Sequence, residues 1–225
     1  MLAPVPQPQT IRVSETKTVS ALLCRPEHAR ACYVLAHGAG AGMNHPFMAS
    51  VSKRLAERGI ATLRYQFPFI ERGSKRPDAP PLAHATVRAA IAVASNRMCD
   101  LPLFAGGKSF GGRMTSQAQA AAALPHVRGL IFLGFPLHPA NKPSQERAAH
   151  LGQVECPMLF LQGTRDELAD VELIRNVTEQ LGERAMLQLF ADADHSFHVR
   201  ARSGQTDKQV LDSMLDAIVA WITTR

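Results

Sequence analysis

Three residues of this chain have the types and the order that acyl-transfer chemistry needs: Ser109, Asp166 and His195. Ser109 stands in Gly107-Lys108-Ser109-Phe110-Gly111, a G-x-S-x-G sequence. An apolar, strand-like run (Leu101 to Ala105) leads into it and a small-residue, helix-compatible segment (Met114 to Leu124) follows. Between a strand and a helix, G-x-S-x-G makes a sharp turn that lifts the serine hydroxyl above a sheet. The positions two before and two after the serine must then be nearly without side chains, because strand and helix meet there. Gly107 and Gly111 meet that need, and Gly106 and Gly112 extend it.

The spacing assigns one role to each residue. Ser109 Oγ is the nucleophile; His195 removes its proton and later returns it to the leaving group; Asp166 holds the imidazole tautomer and stabilises the imidazolium. The order Ser, Asp, His is that of the elbow-bearing hydrolases. Each residue lies just past a strand-like run, the other two runs being Pro157 to Gln162 and Ala185 to Phe190. Open parallel sheets build their sites at those strand ends. His198 competes with His195, but His195 is nearer the strand end. Asp170, Asp192 and Asp194 compete with Asp166. Gly163-Thr-Arg-Asp166 is the better loop position, while Asp192 and Asp194 suit turn chemistry.

A fourth element is His37-Gly38-Ala39-Gly40, which follows the apolar run Ala31 to Ala36. Small residues let backbone N–H groups approach a developing oxyanion. The expected donors are the N–H groups of Ala39 and Phe110. His37, Gly38, Gly40, His45, Lys108 and His138 are the candidate pocket residues, with His37 better suited to fixing its loop through a backbone hydrogen bond. Lys108 either faces an anionic acyl group or points into solvent. Arg113 is a pocket residue or makes a structural salt bridge or hydrogen bond at the start of the helix. The segments Gln66–Pro80 and Gly134–Pro143 are expected to frame the pocket mouth.

Two nucleotide-binding readings fail on spacing. Gly-Lys-Ser ends a phosphate loop only when a glycine stands five residues before Gly107, and that position is Pro102. A dinucleotide fingerprint from Gly38 or Gly40 needs glycine where Met43 or His45 stands. A non-catalytic binding or scaffold module that retains the fold is the remaining alternative.

The elements that must position these residues read as an N-terminal hairpin (Thr10 to Val13, Val19 to Leu23) followed by alternating strand and helix units. That pattern predicts an α/β fold: a mostly parallel twisted sheet with helices on both faces. The 225 residues suit one domain over 10–225 after an irregular proline-rich tail over 1–9. The net charge of +6 is spread along the chain. Without a basic stripe or matching motif it argues against nucleic acid and for a small-molecule substrate. No apolar run is long enough to span a membrane, and no charged, apolar leader opens the chain. The four cysteines have no zinc-ligand spacing, no metal or cofactor is implied, and the default is a reduced, cytoplasmic protein.

With these motifs in place, the chain resembles the α/β-hydrolase superfamily over residues 10–225. It is most similar to the small, capless serine hydrolases of the dienelactone-hydrolase-like branch. The elbow also resembles a subgroup carrying Gly-Gly-Lys-Ser-x-Gly-Gly-Arg. The resemblance implies the fold, the Ser109–Asp166–His195 triad and an esterase-like two-step acyl transfer. Dienelactone hydrolases proper carry cysteine where Ser109 stands, so that particular activity is not implied.

Overall fold

The structure, a computed structural model, describes residues 4–225. Eight strands form one sheet in the order β1-β2-β4-β3-β5-β6-β7-β8. They are β1 (Gln7–Arg12), β2 (Thr18–Cys24), β3 (Ala31–Ala36), β4 (Ile60–Tyr65), β5 (Leu103–Lys108), β6 (Val127–Leu133), β7 (Met158–Gly163) and β8 (Ala185–Phe190). The hairpin β1–β2 is antiparallel and joins β4 antiparallel; all remaining pairings are parallel. The tail expected over residues 1–9 is therefore shorter than its prolines suggested. Gln7, Pro8 and Gln9 pair with Leu23, Leu22 and Ala21, and an edge strand tolerates proline because its outward side needs no donor. Residues 1–3 lie outside the described residues.

The helices are α1 (Pro46–Ala56), the single turn α2 (Pro68–Glu71), α3 (Pro80–Arg97), α4 (Phe110–Ala121), α5 (Val171–Leu181) and α6 (Asp207–Thr223), with a 3-10 segment over Glu146–Gln153. Local chemistry starts them. Thr206 and Gln209 form a reciprocal capping box for α6, and Asp170 accepts from Glu172 N and Leu173 N at the start of α5.

Strand side chains alternate between two apolar layers. Tyr33, Leu35, Phe104, Ile131, Leu133, Leu159 and Leu161 face α1 and α6, where Trp221 meets Phe104 edge-on at 5.7 Å. Cys32, Val34, Ala36, Ala105, Leu130, Phe132, Met158 and Phe160 face α3, α4 and α5. Burying each of the larger side chains stabilises the fold by about 1.5–3 kcal/mol, so both faces of the central strands must be covered. That requirement explains the continuous apolar runs in the sequence. Cys24 and Cys32 are buried among these layers, whereas Cys99 is exposed in the turn before β5.

β3 leaves the centre of the sheet toward β4 on one side, and β5 lies on its other side. The strand order therefore reverses between β3 and β5, and the loops leaving their carboxyl ends diverge and open a crevice. Both loops carry candidate residues.

Candidate active site

Ser109 occupies the one-residue turn between β5 and α4 with φ 50 and ψ −116. A non-glycine residue in this region carries backbone strain of roughly 1–3 kcal/mol. The neighbours show why the turn closes here. A Cβ on Gly107 would collide with the Ala36 carbonyl of β3, and one on Gly111 would stand 2.5 Å from the His37 carbonyl oxygen. With glycine at both, α4 begins directly at Phe110, four residues before the expected Met114.

Above the turn, His195 Nε2 lies 2.9 Å from Ser109 Oγ, and His195 Nδ1 lies 2.7 Å from Asp166 Oδ2. The carboxylate can only accept, so Nδ1 carries the proton and Nε2 is left to accept from the serine. Asp166 is buried and its oxygens are fully engaged: Oδ1 accepts from Leu168 N at 2.8 Å, and Oδ2 also accepts from Gln162 Nε2. Thr164 N and Arg165 N donate to Phe190 O and Ala193 O, lacing the Asp166 loop to the His195 loop.

The competing residues are engaged elsewhere. Asp170 caps α5. Asp194 accepts from Ser196 N and His198 N within its own turn. Asp192 sits at φ 57 in the turn after β8. His198 is exposed and paired with Asp207 at 2.8 Å, which raises its pKa.

The loop after β3 is built on His37, which is fully buried. Its Nδ1 faces Gly38 O at 2.7 Å and its Nε2 accepts from Phe67 N at 3.0 Å. The carbonyl accepts and the amide donates, so the tautomer is fixed with hydrogen on Nδ1. Burial pushes the His37 pKa down to about 4, which keeps the ring neutral. His37 is a pillar behind the loop and is no part of the cavity wall.

A cavity of about 430 Å³ opens over Ser109. Its wall includes Gly38, Ala39, Gly40, His45, Lys108, Ser109 and His195, with Phe47, Met48 and Leu168 as apolar lining. His45 doubles as the cap of α1, its Nδ1 accepting from Phe47 N. His138 is displaced from the pocket. It is buried, with Nδ1 at 2.8 Å from Pro139 O and Nε2 accepting from Asp170 N at 2.8 Å. It thus braces the loop that carries Asp166. The segments 66–80 and 134–143 do not line this cavity either. The first turns inward through Phe67 and Phe69, which pack against His37 and Phe110. The span 38–48 together with Leu168 and Ser196 frames the mouth instead.

Lys108 follows neither expectation: its Nζ lies 2.5 Å from the carbonyl oxygen of His195. Arg113 also departs from its expected roles, its Nε being buried without a hydrogen-bond partner. A larger cleft of about 510 Å³ lies at the opposite, amino end of β5 and β6, lined by Met98, His126 and Arg128. It is remote from Ser109, and among the described residues no hydrogen bond joins its Ser95 or Cys99 to its His126.

A family model described as an alpha/beta hydrolase domain matches residues 29–223. The chain belongs to the alpha/beta hydrolase family. Its fold is similar to that of a dienelactone hydrolase from Anabaena variabilis, with TM-score 0.78, 20% identity and 99% of each chain covered. It is also similar to a serine hydrolase without lid from Xanthomonas campestris, with TM-score 0.73, 19% identity and coverage of 98% of this chain and 97% of that one. A cold-adapted esterase from an Arctic intertidal metagenomic library matches with TM-score 0.67, 17% identity and coverage of 98% and 95%.

Two residues of this alpha/beta hydrolase that bear on the site escape a reading of the sequence. Gln162, fully buried at the end of β7, joins Asp166 to Phe135 N through its two amide ends. Gly134, at φ 70, leaves the space between Lys108 and His195. A polar residue closing an otherwise apolar strand was the available signal for Gln162. Nothing in the sequence marked Gly134, because its neighbours come from distant loops.

Proposed function

We propose that this protein is a serine hydrolase that cleaves a small or medium ester through a Ser109 acyl-enzyme. A thioester or amide would follow the same path. The observation that carries the reading is the continuous hydrogen-bonded chain from Ser109 Oγ through the His195 imidazole to the buried Asp166 carboxylate. Ser109 Oγ attacks the substrate carbonyl carbon while its proton passes to His195 Nε2. The imidazolium is stabilised by Asp166, which keeps its charge.

The carbonyl oxygen gains the displaced electron pair in the tetrahedral intermediate. The N–H of Phe110 is suited to receive it, since it opens α4, where N–H groups have no helical acceptor. The N–H of Ala39, on the cavity wall, is the proposed second donor. One such donor contributes about 3–4 kcal/mol to transition-state stabilisation. Collapse expels the leaving group with the proton from His195. Water, deprotonated by the same imidazole, then attacks the acyl carbon and releases the acid and Ser109.

The cavity volume and its apolar wall of Phe47, Met48 and Leu168 suit a modest acyl group. The esterase and the dienelactone hydrolase of similar fold support the hydrolase class, and Ser109 in place of a cysteine favours the esterase side. A fluorophosphonate probe should label Ser109, and Ser109→Ala should abolish labelling. A native protein that is not labelled and cleaves no p-nitrophenyl acyl ester from acetate to octanoate would favour a binding module instead.

A further inference from the structure

Lys108 is the residue before the proposed nucleophile, yet its side chain ends on the proposed base. Its stem runs beneath the loop after β3, where a Cβ on Gly38 would stand 3.6 Å from Lys108 Cγ. Its Nζ then reaches His195 O at 2.5 Å and lies 5.6 Å from the Phe197 ring centroid. The Phe197 ring is itself held, stacked on Phe47 at 6.1 Å and edge-on to Phe190 at 5.9 Å. At Gly134 a Cβ would stand 3.0 Å from Lys108 Nζ and 3.4 Å from both Nδ1 and Cε1 of His195. Ammonium and imidazole therefore share one small space.

Resting on the serine-hydrolase reading, we propose that Lys108 is a positioning residue: its ammonium holds the His195 backbone carbonyl, setting the imidazole over Ser109 and limiting activity to the pH range in which the amine is charged. A hydrogen bond from a charged donor is about twice as strong as a neutral one, so protonation decides how firmly the carbonyl is held. The rest of the turn leaves this task to Lys108. Asp194 fixes Ser196 N and His198 N, and the bridge between Ala193 and Val199 closes the base of the loop. Those bonds hold the residues flanking His195.

The charged groups facing Nζ are Asp166 from the loop after β7 and Asp194 and His195 from the loop after β8. Burial pushes the Lys108 pKa down to about 8, and the two carboxylates oppose that shift. The upper limit of activity is accordingly expected near pH 8.

The test is the pH dependence of p-nitrophenyl ester hydrolysis and of fluorophosphonate labelling, in the native protein, in Lys108→Met, and in Lys108→Cys before and after aminoethylation with bromoethylamine. The native rate should fall above about pH 8. Lys108→Met should lose ~10- to 100-fold in kcat with KM little changed. It should lack the alkaline limb. Aminoethylation should restore kcat together with an alkaline limb displaced downward, because the thioether sulfur weakens the amine as a base.

A native rate that rises steadily to pH 10 overturns the proposal without need of any variant. So does a folded Lys108→Met that keeps native kcat and the native alkaline limb. Native protein that neither hydrolyses esters nor reacts with the probe would instead remove the serine-hydrolase reading itself.

Discussion

Gln162 donates its side-chain amide to Asp166 Oδ2, the same oxygen that accepts from His195 Nδ1. Its Oε1 accepts from Phe135 N at 2.9 Å, so the amide cannot rotate without losing a second bond. The carboxylate is thereby aimed along the line to the imidazole. Gln162→Leu should leave a buried charge one donor short and the Phe135 amide unpaired. The expected destabilisation is about 1.5–3 kcal/mol, measured by urea unfolding, together with a fall in kcat from a loosened carboxylate. Native stability in Gln162→Leu would show that water or a shifted side chain replaces both bonds.

Asp166→Asn keeps the shape of the side chain but offers the imidazole an amide. The expected fall in kcat is about 10⁴-fold. Asp170→Ala, which removes only the α5 cap, should cost about 1 kcal/mol of stability and leave kcat within a few-fold of native. Comparable kcat losses in the two variants would deny Asp166 its special role.

The strain at Ser109 has a measurable consequence. Both Ser109→Ala and Ser109→Gly remove the hydroxyl and its bond to His195, so their difference reports the backbone alone. Glycine adopts φ 50, ψ −116 with little strain, against a greater loss of chain entropy on folding. Ser109→Gly should be more stable than Ser109→Ala by about 1 kcal/mol, read from matched denaturant curves. Equal stability would place the strain elsewhere.

Acid should destabilise the fold through two neutral histidines, the buried His37 and the half-buried His150. Burial pushes His37 and His150 down to about 4, whereas an unfolded histidine titrates near about 6.5. Between those values the unfolded chain binds more protons than the folded one, so stability falls as pH falls through that window. The His37 contribution alone is on the order of 3 kcal/mol, lost in full only below about pH 4. His150 Nε2 is 2.7 Å from Ser116 Oγ, and glutamine can keep that partner without titrating. His150→Gln should flatten the decline of melting temperature between pH 7 and 4.5; an unchanged slope would rule out its titration as a cause.

Much of the architecture and the chemically marked residues were legible from one dimension. The apolar runs β3, β5, β6 and β7 read as strands because both faces of a central parallel strand are covered, which leaves no polar alternation. Gly107 and Gly111 read as a crossing point because only glycine lets strand and helix backbones meet around Ser109. The histidines were harder. His37, His45 and His138 are equivalent as letters, yet one supports the loop after β3, one caps α1 at the cavity rim, and one braces the Asp166 loop. Which of these a histidine does depends on the amide that reaches its ring: Phe47 N at His45 is local, whereas Phe67 N at His37 and Asp170 N at His138 come from segments about 30 residues away.

By itself, then, the sequence determined the sheet-and-helix order, the elbow at Ser109 and the short set of acids and histidines from which the site is drawn. Those are properties of local periodicity, glycine sterics and position after a strand. Only the tertiary structure brought His195 Nε2 to Ser109, closed the Asp166 carboxylate with Gln162, and turned Lys108 onto the His195 carbonyl. The contacts of His195 with Ser109 and of Lys108 with His195 join separate strand ends, and the sheet order that places those ends side by side is set by packing across the whole domain; Gln162 and Asp166 share the end of β7, but only the fold around Phe135 aims one at the other.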